Sequence, residues 1–192
     1  LDFQAQGASG QVAFSTPQIV VPLPEASAPS GRAKNVIVLV IDTLRADKLR
    51  PYNPRSRVQT PTIDAFATEA ALFEQAQAPE NWTKPSVASI LTSLYPTTHR
   101  TKDEAARLPS EALTLGEVFR AAGFATAMFS ANGYVSDRFG FDQGWDHYTN
   151  YIRENRRSEA QYVFPEAVEW IAAHRSERFF VYIQTIDPHV VY

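Results

Sequence analysis

The run Val36-Ile-Val-Leu-Val-Ile41 constrains the fold more than any other stretch: six branched apolar residues in a row, bounded by Asn35 and Asp42. A short unbroken apolar segment is the pattern of a strand covered on both faces in a parallel sheet, because a strand with one wet face alternates apolar and polar residues. Polar residues follow at once, so Asp42 stands at the strand's mouth.

The rest of the chain alternates helix and strand patterns. Thr60-Pro-Thr-Ile-Asp-Ala-Phe-Ala-Thr-Glu-Ala-Ala-Leu72 opens on an N-cap residue with Pro at the first helical position, and Ile63, Phe66, Ala70 and Phe73 keep helical spacing. Thr83 to Tyr95 repeats that grammar, with Pro85 in the first turn, Val87, Ile90, Leu91 and Leu94 on one side, and Pro96 as a stop. Thr83 is expected just ahead of that helix. A helix from Leu113 closed by Gly123, a strand over Phe124–Ser130, a glycine- and aromatic-rich loop over Tyr134–Tyr148, a helix around Pro165–His174 and a strand over Phe179–Ile186 follow.

This order predicts an α/β fold, an open, mostly parallel sheet flanked by helices, whose ligands bind beyond the carboxyl ends of the strands. Asp42 and the Asp187-Pro-His189 segment both fall there. Residues 1–34, rich in Ala, Ser, Gly, Gln and Pro, read as an N-terminal arm or spacer in which Gln18–Leu23 could form an edge strand. Residues 35–192 form one globular unit, with no internal repeat.

Composition removes several classes. A net charge of −3 with 20% charged residues gives no basic footprint for nucleic acid. Without cysteine there is no disulfide, thiolate metal site or thiol nucleophile. The longest apolar run is far short of the roughly 20 residues that a bilayer span needs.

Two positions together suggest chemistry. A carboxylate at a strand end, Asp42, and a hydroxyl at a helix start, Thr83, could share one divalent metal ion, which lowers the hydroxyl's pKa and makes an alkoxide. Such a nucleophile attacks phosphate or sulfate esters. Each residue also has a plain structural reading: Asp42 as a turn former, Thr83 as a helix cap, His189 as a surface or core histidine. His99 and His147 lack metal-ligand spacing and read as structural.

These segments together resemble the sulfatase family within the alkaline phosphatase superfamily, from about Asn35 to the C-terminus. Asn35–Asp47 is similar to the family's opening strand with its metal-binding Asp, Trp82–Pro96 to the nucleophile segment, and Asp187-Pro-His189 to the histidine segment that contacts substrate. Where ordinary sulfatases carry Cys or Ser, later converted to formylglycine, and Arg four residues on, this sequence has Thr83 and Val87. Threonine's extra methyl blocks oxidation to an aldehyde, so Thr83 acts only as a direct alkoxide. Thr43 replaces the second Asp, and Phe129-Ser-Ala-Asn-Gly133 replaces a Gly-Lys-Trp-His segment, leaving Asn132 either as an amide donor to a transferring phosphoryl oxygen or as a turn residue.

The resemblance implies a metal-dependent hydrolase or transferase that cleaves phosphodiester, phosphonate or related esters. Asp42 and Thr83 would hold the ion (calcium, manganese or zinc), Thr83 would be the nucleophile, and His189 and Asn132 would assist. Sulfate-ester hydrolysis and a non-catalytic fragment are the alternatives. Relatives complete the metal site with an Asp-His or Asp-Asn pair in their second half. This sequence is therefore expected to be the N-terminal portion of such an enzyme, inactive alone and partnered by the C-terminal half. The substrate is expected to be a small-molecule, lipid or glycan ester, and the spacer-like arm suggests an extracytoplasmic address.

Overall fold

The computed structural model describes residues 34–189; the N-terminal arm and its candidate edge strand lie outside them. Four strands, β1 (Asn35–Ile41), β2 (Ala125–Ser130), β3 (His147–Asn150) and β4 (Phe179–Thr185), form one sheet in the order β1-β4-β2-β3. Every neighbouring pair is parallel. The α/β class read from the sequence is the observed one.

Parallel strands bring all their carboxyl ends to one edge. Ile41 is in register with Thr185, Ser130 with Gln184, and Ser130 also with Asn150. The Asp42 amide extends the ladder by donating to Thr185 O at 2.9 Å. Residues 42, 130–132, 150 and 184–185 therefore cluster despite wide separation in sequence.

Helices α2 (Thr83–Thr92) and α4 (Leu115–Ala121) contribute to one face of the sheet. Val87, Ala88 and Leu91 of α2 join Met128, Phe180 and Tyr182 in a buried core, with Val36, Val38 and Val40 packed against it. The other face is covered by α5 (Ala160–Ala173), whose Val163 and Ala167 meet Ala127, Phe129, Val181 and Ile183. α1 (Pro61–Ala67) and α3 (Pro96–His99) are short connections.

β1 departs from the expectation of a strand covered on both faces. Its residues alternate in exposure, with Ile37 and Leu39 about half exposed, because β1 is an edge strand among the described residues and α5 covers β2 and β4 instead. β4 is the strand buried along its whole length. α1 is also shorter than its pattern predicts. It stops at Ala67, and Phe66 and Phe73 are largely exposed, so their helical spacing finds no core to pack against. β3 lies at the end of a region read as loop; its four residues carry no apolar run.

Local chemistry explains the remaining boundaries. Thr114 and Glu117 form a reciprocal capping box at α4, and Gly123 follows that helix at φ +79°, a conformation that favours glycine. Asp187 accepts the Ala160 amide on both carboxylate oxygens at 3.0 Å, and so satisfies an orphan donor at the start of α5.

Candidate active site

The sheet edge delivers Asp42 to the first turn of α2. Thr83 is the first helical residue, not the residue ahead of the helix; the N-cap is Trp82 in extended conformation, with no side-chain cap. The Thr83 hydroxyl is therefore not used as a helix cap. It donates to the Asp42 carboxylate, with Oγ1 3.2 Å from Oδ1 and 3.1 Å from Oδ2. Forty-one residues apart in the chain, these oxygens converge.

Two amides complete the surroundings of Asp42. Asn132 Nδ2 donates to Oδ2 at 2.7 Å, and Gln184 Nε2 donates to the same oxygen at 3.1 Å. Asn132 is fixed in turn: its Oδ1 accepts from the Tyr134 amide at 2.8 Å, and Asn150 Nδ2 holds its carbonyl at 3.0 Å. Its donor side thus faces Asp42, and only its second amide hydrogen is left for another acceptor. The Tyr182 hydroxyl donates to Gln184 Oε1 at 3.0 Å. Burial, with the Asp42 charge adding to it, pushes the Tyr182 pKa well above the usual phenol range.

Lys84, next to Thr83, is completely buried. Its ammonium donates to the carbonyls of Asp103, Glu104 and Ala106 at 2.8, 2.6 and 2.7 Å and lies 4.1 Å from the centre of the Phe139 ring. Burial holds its pKa below the usual lysine value. The first turn of α2 is thereby anchored to the 103–106 loop.

His189 stands apart. It is exposed, and its backbone amide donates to Ile186 O at 2.8 Å. Among the described residues no hydrogen bond joins it to Asp42, Thr83 or Asn132. It does share with Asn132, Tyr134, Arg138 and Arg153 the wall of a hollow of about 730 Å³. Asp42, Thr83, Trp82 and Glu80 line a separate, smaller hollow of about 280 Å³. Asn132 thus lies on the larger hollow and reaches the carboxylate of the smaller one.

His99 is buried. Its Nδ1 accepts from the Thr101 amide at 3.0 Å, which leaves Nε2 as the donor toward Ser89 Oγ at 3.1 Å; burial holds its pKa below the ordinary histidine value. His147 Nε2 lies 3.2 Å from Thr149 Oγ1. Gln184, Tyr182 and Lys84 were missed by sequence reading. The available signal was a polar or charged residue inside an otherwise apolar strand or between Trp82 and Pro85.

The family model described as Sulfatase matches residues 34–192. The chain belongs to the sulfatase family. This sulfatase-family chain is 37% identical over 93 residues to an ulvan-active sulfatase of Formosa agariphila, a match over 48% of this chain and 18% of that protein. It is 32% identical over 108 residues to the multifunctional alkaline phosphatase superfamily protein PehA of Trinickia caryophylli, over 54% of this chain and 20% of that protein. The chain therefore spans about a fifth of the length of these curated relatives. Among solved structures, the phosphonate monoester hydrolase of Agrobacterium radiobacter aligns at a TM-score of 0.66 and 18% identity, over 81% of this chain and 41% of that one. BT4656, solved with its substrate D-glucosamine-2-N,6-O-disulfate, aligns at 0.67 and 20%, over 78% and 34%. At such identities the likeness is one of fold, the alkaline phosphatase/sulfatase fold.

Enzymes of this superfamily generally use a divalent metal. Asp42 is only 8% exposed, and among the described residues its side-chain partners are the neutral donors Thr83, Asn132 and Gln184, with no ion pair. A buried carboxylate normally has a cation as partner. Asp42 and Thr83 fit such a cation in kind, as hard oxygens. They fall short in number: no group of three His, Cys, Asp or Glu among the described residues is placed to hold a metal.

Proposed function

We propose that this chain carries the nucleophile half of a metal-dependent ester hydrolase or transferase acting on phosphodiesters, phosphonates or related esters. The observation that carries the reading is the contact of Thr83 Oγ1 with both oxygens of the buried Asp42 carboxylate, where the hydroxyl is not spent on capping its own helix. Asp42 and Thr83 would hold the cation through their oxygens. When bound, that ion lowers the hydroxyl's pKa and supplies an alkoxide.

The residues of this chain do the rest. Thr83 Oγ1 gives up its proton to solvent water and attacks the ester phosphorus. A Thr83 phosphoester bond forms, the bond to the leaving alcohol oxygen breaks, and that oxygen takes a proton. Water or an acceptor alcohol then attacks the phosphorus and restores the hydroxyl. The N-terminus of α2 favours the negative charge that develops on Oγ1. Asn132 holds Asp42 and has one amide hydrogen left for a substrate oxygen; His189, on the wall shared with Asn132, serves the leaving group.

Sulfate esters are the second reading, favoured by relatives described as an ulvan-active sulfatase and an N-acetylglucosamine-6-O-sulfatase. Among the described residues no Lys or Arg contacts the Thr83 hydroxyl, which suits singly charged esters more than phosphate monoesters. An extracytoplasmic address fits a polymer- or glycan-derived substrate. Among the described residues no helix is long and apolar enough to cross a membrane.

The test uses the complete protein with a divalent cation, assayed against aryl phosphodiester, phosphonate and sulfate esters. Thr83→Ala is expected to lower kcat on the preferred ester by on the order of 10³-fold or more. A covalent adduct at Thr83 is expected by mass spectrometry. Full activity in Thr83→Ala excludes the nucleophile.

A further inference from the structure

The Asp42 carboxylate is held asymmetrically. Oδ2 accepts from Asn132 at 2.7 Å, from Gln184 at 3.1 Å and from Thr83 at 3.1 Å, whereas among the described residues Oδ1 has the Thr83 hydroxyl alone, at 3.2 Å. One oxygen is saturated with neutral donors. The other keeps lone-pair capacity on the side of Thr83.

Gln184 is fully buried near the carboxyl end of β4, and Tyr182, also fully buried, lies two residues earlier on the same face of the strand. A carboxamide has distinguishable ends: oxygen accepts and nitrogen donates. The Tyr182 hydroxyl, whose one acceptor among the described residues is Gln184 Oε1, selects the orientation that aims Nε2 at Asp42. The flipped amide would set a carbonyl against a carboxylate and leave a buried donor without an acceptor.

We propose that Gln184, with its amide orientation set by Tyr182, is a positioning residue that pins Asp42 Oδ2 and leaves Oδ1 as the oxygen offered, with the Thr83 hydroxyl, to a divalent cation. The inference rests on Asp42 being a cation ligand. Glutamine is suited to the task where glutamate is not, because a second carboxylate about 3 Å from the first would repel it in the metal-free protein. Changing a residue that orients a metal ligand typically costs about 10–100-fold in metal affinity.

The experiment titrates Mn²⁺ calorimetrically into the complete protein as wild type, Asp42→Asn, Gln184→Met, Tyr182→Phe and the double variant Tyr182→Phe/Gln184→Met. Thermal melts without metal confirm that each is folded. Asp42→Asn is expected to remove the site. Each single variant of the pair is expected to weaken Mn²⁺ binding about 10–100-fold. The double variant is expected to be no weaker than Gln184→Met, since the tyrosine acts only through the amide. A merely structural role would lower the metal-free melting temperature and leave Mn²⁺ affinity unchanged. Unchanged affinity in either single variant, or additive losses, overturns the inference while leaving Asp42 as ligand. If Gln184→Met does not fold, Tyr182→Phe, which loses a single oxygen, decides alone: weakened binding supports the inference and wild-type binding overturns it. If Asp42→Asn binds Mn²⁺ like the wild type, the cation reading of Asp42 falls, and the inference falls with it.

Discussion

At the scale of single residues, the first turn of α2 joins a hydroxyl that is free for chemistry to an ammonium that is not. Thr83 turns away from its helix toward Asp42, while Lys84 turns the other way and ties three carbonyls of the 103–106 loop to the Phe139 ring. Lys84→Met keeps most of the buried volume and abandons those carbonyls, each costing about 1–3 kcal/mol when left unmet. We expect a loss of at least about 3 kcal/mol in urea denaturation; a loss under about 1 kcal/mol would show that the anchor is dispensable. The sequence made Thr83 visible through Trp82-Thr-Lys-Pro-Ser86, but gave the neighbouring lysine no distinction. What separates the two side chains is direction, which only the packed helix defines.

At the scale of elements, α2 and α3 are joined by His99, and this junction titrates. The Thr101 amide occupies Nδ1 as a donor, so a second proton on the ring would set donor against donor in a buried place. With the folded pKa depressed from the ordinary 6.5, the unfolded chain binds more protons just below that value. Stability from this group is present above about pH 6.5 and is lost as pH falls toward the folded pKa. Urea midpoints taken from about pH 7.5 to about pH 5 should fall in the wild type and fall less in His99→Gln; identical slopes would clear His99 of the effect. The elements themselves were legible to different degrees. Phe124–Ser130 and Phe179–Ile186 announced themselves as apolar runs because their sheet is buried between helices. α1 was overextended because Phe66 and Phe73 have helical spacing without a core to receive it, and β3 was hidden because His147-Tyr-Thr-Asn150 is held by pairing with β2 rather than by its own hydrophobicity.

At the scale of the whole molecule, parallel strand direction turns distant residues into neighbours. Asn132 after β2, Gln184 in β4 and Thr83 of α2 meet at Asp42, just after β1, because every strand delivers its carboxyl end to one edge. The apolar run before Asp42 and the proline-marked helix that opens at Thr83 were enough to pair these two from sequence. Gln184 and Tyr182 were not legible, because their part depends on the β1–β4 register, which no local pattern specifies. His189 shares the larger hollow with Asn132 but does not touch the Asp42–Thr83 pair. The central claim, that Asp42 and Thr83 share a divalent cation, is tested most directly by Mn²⁺ anomalous diffraction from crystals of the complete protein. The predicted result is one difference peak within about 2.0–2.6 Å of both Asp42 Oδ1 and Thr83 Oγ1; a metal peak that touches neither oxygen, in protein that is active with Mn²⁺, would contradict it.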